Sequence, residues 1–324
     1  MSKIDDAKVK TWISTCFVCN MGLTNMLMTL SGMVTCALCK NAGVLWPLMN
    51  ADVMPRSKAR PPPKGLSRNE KLYKNPLYGQ GCIPIGVILD INGWQNNLPS
   101  FPANIFSKPK HEHNLTFFEP WHLIREAKRL NETLYNSVLK AVVFAESVKQ
   151  DADRVWEGVD RPVCGVHVRL EPDWELHCKT KGLQMADETA IVNKMKTVTS
   201  TSSFLVFSGQ SRRVEKFVRL ISGKGINIYS LRDHTHWPKL KHNNYTYSSA
   251  VAFETAKRCD DFIGCHGSTF SEIILLYKNL TSCYGNHNAA AAKTTDRPKP
   301  LTVAKVHHPR KTRKQKMDLL KKLI

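Results

Sequence analysis

No stretch of this chain is long and apolar enough to read as a membrane span. The longest apolar region, Trp12 to Val44, is interrupted by Asn20, Gly22, Thr24, Asn25, Ser31 and Lys40. A span needs roughly 20 predominantly apolar residues, so no transmembrane helix is expected. A secretory signal is missing on the same reading, because Asp5 and Asp6 stand where a basic start belongs and no continuous apolar centre follows. Acid is scarce: 27 Asp and Glu face 47 Lys and Arg, for a formal charge of +20. Ten cysteines in 324 residues are too few to make disulfides the scaffold, and no internal repeat marks a solenoid. What is present is 42% hydrophobic residues, enough to bury one large core or two.

Much of the positive charge is local. Residues Lys293 to Ile324 carry eleven Lys or Arg against Asp296 and Asp318, which is +9, with Pro298, Pro300 and Pro309 among them. That composition predicts a basic, solvated tail over 289–324, ending in a short basic helix from Arg313. The remaining +11 is spread over the rest of the chain and suits a binder of anionic phosphates. Nucleic acid is not the expected partner.

Two CxxC pairs, Cys16 with Cys19 and Cys36 with Cys39, have zinc-ribbon spacing. They support a rival reading, a zinc-dependent nucleic-acid-binding protein. A ribbon knuckle, however, needs a tight turn aiming two thiolates at one ion, and the intervening NMGLTNMLMTLSGMVT has Met and Leu at helical spacing that runs on into CALCK. Buried thiols are the simpler reading, and no metal is expected. The i,i+2 histidine pairs at 111 and 113 and at 234 and 236 lack neighbouring ligands and read as solvated. Asn114, Asn131, Asn244 and Asn279 begin N-x-Ser/Thr sequons that, without a signal peptide, are expected to stay unmodified.

Apolar periodicity and breakers give the organisation. A strand over Thr11–Cys19, a glycine turn, a helix over Asn25–Lys40 for which Thr24 is a cap, a stop at Asn41, Ala42 and Gly43, and a strand over Val44–Leu48 spell a βαβ unit. Residues 55–80 read as a proline-rich loop, Ile83–Ile91 as a strand, 92–118 as a loop and Pro120–Gln150 as a helix. The charged run Asp151–Asp160 marks a boundary between lobes at 1–155 and 156–288. Strands then follow at Val163–Leu170, Phe204–Phe207, Ile226–Leu231 and Asp261–Ile263, with helices at Asp187–Val198, Ser211–Ile221, Tyr247–Arg258 and Ser271–Asn279. A polar loop follows the first of those strands. Such α/β alternation predicts parallel sheets that bind ligands at the carboxyl ends of their strands.

Three segments lie at such ends. Gly22-Leu23-Thr24-Asn25 puts a glycine before a helix, whose first amides and positive dipole end suit a phosphate or sugar oxygen; a plain helix start is the alternative. In GVHVRLEPDWELHC, alternation sets His167 and Arg169 on one face, where a guanidinium can fork onto a diphosphate and offset the charge growing on a leaving nucleotide. An ion pair with Glu171 is the alternative there, and Glu171 and Asp173 are the nearby acids. In CDDFIGCHGSTFSE, Gly264 and Gly267 allow a tight turn that brings Ser268, Thr269 and Ser271 to a helix amino end; capping by Ser268 with Ser271 and Glu272 is compatible with ligand binding.

In order and separation these segments resemble the donor-site motifs of the GDP-fucose O-fucosyltransferases of animals and their plant relatives. HVRLEPDWELHC is similar to that family's HLR segment, DDFIGCHGSTF to its glycine turn with Ser/Thr-Phe, and GLTNMLMTLSGMVTCALCKNAGVLWPL to its N-terminal loop, helix and strand. With FLVFSGQSRRVEKFVRLISGKGINIYSL the likeness covers most of residues 11–280. It implies a GT-B-like α/β fold of two Rossmann-like lobes with parallel sheets facing a central cleft. It also implies metal-independent, inverting transfer of fucose from GDP-fucose to a hydroxyl of a protein or glycan acceptor. Carried over by position, Arg169 and Asn25 are catalytic. Gly22, Leu23, Thr24, Asn25, His167, Arg169, Ser268, Thr269 and Phe270 bind the donor. No cofactor is implied, and a relative that binds glycans without turnover is a further alternative. The resemblance implies an endomembrane lumen, the start of the chain a cytoplasmic protein, and the compartment stays open.

Overall fold

The structure is a computed structural model that describes residues 11–15, 22–44, 46, 49–50, 82–98, 115–181, 185–209, 212–221, 227–230, 240–242 and 244–284. In chain order the elements are β1 (Trp12–Thr15), α1 (Leu23–Lys40), β2 (Gly43–Val44), β3 (Met49–Asn50), β4 (Cys82–Ile83), α2 (Ile91–Asn96) and β5 (Leu115–Phe118). There follow α3 (Pro120–Lys140), α4 (Glu146–Trp156), β6 (Val163–Val168), α5 (Pro172–Lys181), α6 (Glu188–Lys196) and β7 (Ser203–Ser208). The last are α7 (Arg212–Ile221), β8 (Asn227–Ser230), α8 (Tyr245–Lys257), β9 (Asp261–Cys265), α9 (Thr269–Lys278) and β10 (Cys283–Tyr284). The predicted loop over 55–80, the predicted tail over 289–324, Cys16, Cys19, Asn114 and the four loop histidines lie outside the described residues.

Two parallel sheets result. The first has the order β2-β1-β5, with Trp12 opposite Gly43 and Leu115, and Thr15 opposite Phe118. The second has the order β10-β9-β6-β7-β8, and β6, near its middle, is buried along its whole length. Parallel neighbours need long crossovers, and helices supply them on both faces. Alternation along the strands sorts the side chains: Leu205, Phe207 and Phe262 join a large core with α1, α3, α4, α8 and α9. Phe204, Val206, Ile263 and Cys265 join a smaller one with Val166, Val168, Ile191, Val214 and Phe217.

The helix α1 forms because Met26, Leu27, Leu30, Met33, Val34 and Ala37 recur at helical spacing, and all are buried. It ends where Asn41 adopts the left-handed conformation, φ 52°, its N–H directed at Ala37 and Leu38 carbonyls. Its contact with α3 is close: a Cβ on Gly32 would lie 3.0 Å from the Leu123 carbonyl oxygen, so a larger residue would push the two helices apart by a few tenths of an ångström. The Cys36 thiol lies in the same seam, 3.9 Å from that oxygen.

Several expectations are corrected. Thr24 is not the cap of α1; Gly22 is, and the helix starts at Leu23. The strand expected over Ile83–Ile91 ends at once because Pro84 breaks it. A single 3-10 turn, Ile85–Val87, follows. Asp90 then caps α2 by accepting from the Gly93 N–H at 2.9 Å. Within the expected loop 92–118, Leu115–Phe118 pairs with β1. The expected helix over Pro120–Gln150 is two, α3 and α4, and α3 is itself bent at Asn131, whose Oδ1 accepts from the Leu134 N–H and starts a fresh helical segment. The polar loop expected after β6 contains α5, whose buried positions Trp174 and Cys178 are one turn apart while Leu176 is 66% exposed. Two apolar positions are too few for periodicity to register. The helix α4, on the N-terminal side of the expected lobe boundary, packs against α8.

Candidate active site

The carboxyl end of β6 is held by a hydrogen-bond network that reaches across the second sheet. Tyr284 Oη, from β10, donates to the His167 carbonyl at 2.6 Å and accepts the Arg169 N–H at 3.0 Å. One buried hydroxyl thus fixes the backbone on both sides of Val168, just where the strand ends. The His167 ring is 6% exposed, with Nδ1 2.8 Å from Ser271 Oγ and its face 4.7 Å from the Phe270 ring. Ser271 Oγ also accepts the Cys265 N–H at 2.7 Å, tying the start of α9 to the ends of β6 and β9.

Arg169 leaves the strand end with its guanidinium carbon 5.0 Å from the centre of the Trp174 ring and its Nε 3.5 Å from Glu171 Oε2. Its side chain is 23% exposed, that of Glu171 only 7%. Glu171 Oε1 accepts the Gly209 N–H at 2.6 Å. The acid thus accepts a hydrogen bond on Oε1, while Oε2 forms an ion pair with the arginine without a hydrogen bond. The side chain of Asp173 lies outside the described ones.

The turn before α9 comes back to the same place. Gly267 has φ +76°, a conformation that favours glycine, and a Cβ there would lie 3.7 Å from Trp174. Ser268 takes the cap position of α9 but makes no side-chain cap bond, and Ser271, expected as its capping partner, turns to His167 and Cys265 instead. Phe270 is enclosed by His167, Phe207, Phe253 and Phe262, which gives it a packing role that the sequence did not signal.

The amino end of α1 meets this turn. Thr24 and Thr269 face each other across 245 positions of sequence with their hydroxyl oxygens 2.9 Å apart. Two helix amino ends, each with first-turn amides that lack an intrahelical acceptor and each with a positive dipole end, therefore converge. Neither Gly22 nor Ser268 provides a side-chain cap, and the first turn of α1 holds no acid. Leu23 is buried in the core, so only its main chain is left for a ligand. Asn25 Oδ1 is shielded from solvent and has no hydrogen-bond partner among the described residues. Gly22 and Thr24 are thus brought to Ser268 and Thr269, with Asn25 next to Thr24 in the first turn of α1. Arg169 reaches the turn before α9 through Trp174 and Gly267, while His167 is buried and Phe270 partly buried beside it.

Burial, and after it the Arg169 charge, lower the His167 pKa to about 3, so the ring is neutral. It orders the site and carries no charge to a ligand. Burial pushes the Cys265 thiol up to about 12 and the Cys36 thiol up to about 11, which disfavours thiolate at either. Cys36 and Cys39 stand one turn apart on α1, with Cys36 buried and Cys39 exposed, so this pair forms no ribbon knuckle. No group of three or more potential metal ligands occurs among the described residues. None of their helices is long and apolar enough to cross a membrane.

Trp174, Tyr284 and Gly209 carry weight here that sequence reading did not give them. Trp174 sits in the acidic-aromatic stretch after Arg169 and had that signal; Tyr284 and Gly209 had none, since their roles depend on strand order.

Neither a protein-family sequence profile nor a curated protein sequence matches the chain. Solved structures do. A crystal structure of POFUT1 in complex with GDP-fucose is 12% identical, with a TM-score of 0.53, covering 88% of this chain and 100% of that one. Another, of POFUT1 in complex with GDP, is 12% identical, with a TM-score of 0.51, covering 85% of this chain and 98% of that one. The apo-form of POFUT1 gives 0.50 at 12% identity, over 87% of this chain and 100% of that one. What the chain shares with these structures is the α/β fold with its parallel sheets.

Proposed function

We propose that this chain is a glycosyltransferase that moves fucose from GDP-fucose to a hydroxyl of a protein or glycan acceptor, with inversion and without a metal ion. The observation that carries the reading is the convergence of Arg169 with the amino ends of α1 and α9, fixed by the Thr24–Thr269 contact. A guanidinium and two positive helix ends suit a pyrophosphate and supply the positive charge that a metal provides elsewhere. Residues 1–155 would be the acceptor-side lobe and 156–288 the donor-side lobe, in keeping with the two sheets on either side of that division.

In the reaction the acceptor oxygen bonds to the sugar C1 as the bond from C1 to the β-phosphate oxygen breaks. The bonding pair leaves with GDP, and the acceptor hydroxyl gives up its proton to solvent. Arg169 stabilises the charge that grows on the departing diphosphate, held in line by Glu171 and the Trp174 face. Thr24, Ser268 and Thr269 offer hydroxyls and amides to the donor, Gly22 and Leu23 their main chain. Asn25 Oδ1 accepts from the acceptor hydroxyl and orients it. His167, neutral and tied to Ser271, acts with Phe270 as a positioning pair beneath the phosphate turn.

Thermal shifts with GDP, GDP-fucose, ADP and UDP test the donor: selective stabilisation by the two guanosine ligands is expected, and none by any of the four defeats the proposal. Turnover of GDP-fucose with candidate acceptors then separates a transferase from a glycan-binding relative.

A further inference from the structure

We propose that Tyr284 is the positioning residue for Arg169: its hydroxyl, reaching from β10 across β9, sets the main chain from which the guanidinium is held against the donor's diphosphate. This inference rests on the donor site argued above and adds to it a residue that acts through another.

The reason lies in where the ladders of β6 stop. Against β7 the pairing runs to Val168, opposite Ser208, but against β9 it ends at Val166, opposite Ile263. On its other side β9 goes on to pair with β10, Gly264 with Cys283 and Cys265 with Tyr284. Main-chain groups of residues two apart in a strand face the same neighbour. The Val163 carbonyl accepts the Asp260 N–H at 2.9 Å, so the odd-numbered residues of β6 face β9. The His167 carbonyl and the Arg169 N–H belong to that set, and they lie beyond the end of the ladder. Tyr284 Oη takes both, donating to the first at 2.6 Å and accepting from the second at 3.0 Å. A side-chain hydroxyl thus continues a ladder that the neighbouring strand has left.

The chemistry and the place of this residue suit the role. Its side chain is buried, and burial raises the phenol well above its ordinary value, so the hydroxyl keeps the proton it donates. The Tyr284 carbonyl accepts the His266 N–H at 3.0 Å, one residue before Gly267. One residue therefore holds the turn that leads to α9 by its main chain and the backbone of Arg169 by its side chain. It fixes the spacing between the guanidinium and the amino end of α9, the two groups between which the proposed diphosphate lies. Glu171 and Trp174, by contrast, hold the arginine by its side chain.

Titration calorimetry with GDP on the full chain tests this as a double-mutant cycle. Tyr284→Phe, which removes the hydroxyl and keeps the ring, is expected to weaken GDP about fivefold when Arg169 is present and by less than about twofold in Arg169→Ala. A hydroxyl that served packing alone would cost the same in both backgrounds. Equal losses, or no loss beside Arg169, would thus overturn the assignment and leave the donor site intact. The wild type supplies a second measurement should Tyr284→Phe not fold. In hydrogen exchange the Arg169 amide should be protected as well as that of Val166 inside β6, and free exchange at Arg169 would overturn the assignment too. Wild-type protein that binds no GDP would overturn the donor site, and with it the role of Tyr284.

Discussion

The two sides of the candidate site are built differently. Around the end of β6 most polar groups satisfy one another: Tyr284 serves His167 and Arg169, Ser271 serves His167 and Cys265, and Glu171 Oε1 serves Gly209, although the ion pair of Arg169 Nε with Glu171 Oε2 makes no hydrogen bond. Around the first turn of α1 they do not. Gly22 caps with no side chain, Asn25 Oδ1 has no partner among the described residues, and Thr24 alone reaches across, to Thr269. A satisfied network fixes an arginine in place before any ligand arrives, and pre-set charge is what stabilises a leaving group effectively. Unsatisfied groups cost stability when buried and are retained where a ligand completes them. On the proposed function, the β6 side holds the donor's charge and the α1 side contacts what reacts.

If that contrast is right, the largest effect belongs to Arg169. Arg169→Ala should lower kcat by about 100-fold to 1,000-fold in a transfer assay, with an unchanged circular dichroism spectrum. Arg169→Lys should recover little, because a point charge cannot form the planar fork. Turnover near wild type in Arg169→Ala would place the charge-holding group elsewhere.

Ser271→Ala should come next, this time in stability. It strips partners from a buried N–H and a buried imidazole, at a cost of about 1–3 kcal/mol in urea unfolding. A similar loss for Asn25→Ala would erase the difference between the two sides, since Asn25 Oδ1 has no partner among the described residues to lose.

The pH dependence probes the same network. His167 is neutral when folded, with its pKa lowered from 6.5 to about 3 by burial and then by Arg169. The unfolded chain therefore binds more protons below pH 6.5. The stability His167 contributes is whole above that value and is lost as pH falls through the interval down to about 3. The slope is at most about 1.4 kcal/mol per pH unit. His167→Gln should flatten that part of the stability–pH curve, and an unaltered slope would mean that the ring is not buried neutral.

The Thr24–Thr269 contact should be worth less, about 0.5–1.5 kcal/mol of coupling in a double-mutant cycle with valine at each position. Zero coupling would detach the α1 end from the α9 end. Smallest of all, chelators should leave the melting temperature within roughly 1 °C. A larger fall would revive a metal site involving the cysteines.

Much of the fold was legible because it depends on local pattern. The helical spacing from Met26 to Ala37, the stop at Asn41, and the alternation of strand and helix from Val163 to Asn279 are properties of neighbouring residues. So was the location of the site, since glycine turns and a strand-end arginine mark where an α/β sheet leaves main-chain groups open. Misread elements were those with too few apolar positions to show a period, such as α5, or with a breaker inside an apolar run, such as Pro84.

By itself, then, the sequence determined that Arg169, Thr269 and the Gly22 turn would each end up at the mouth of a sheet or helix. Only the tertiary structure decided that His167 is buried against Ser271, that Glu171 Oε1 takes the Gly209 N–H, and that Thr24 meets Thr269. Those partners are 104, 38 and 245 positions away, brought together by strand order and helix crossing, and no local pattern of residues records a distance in space.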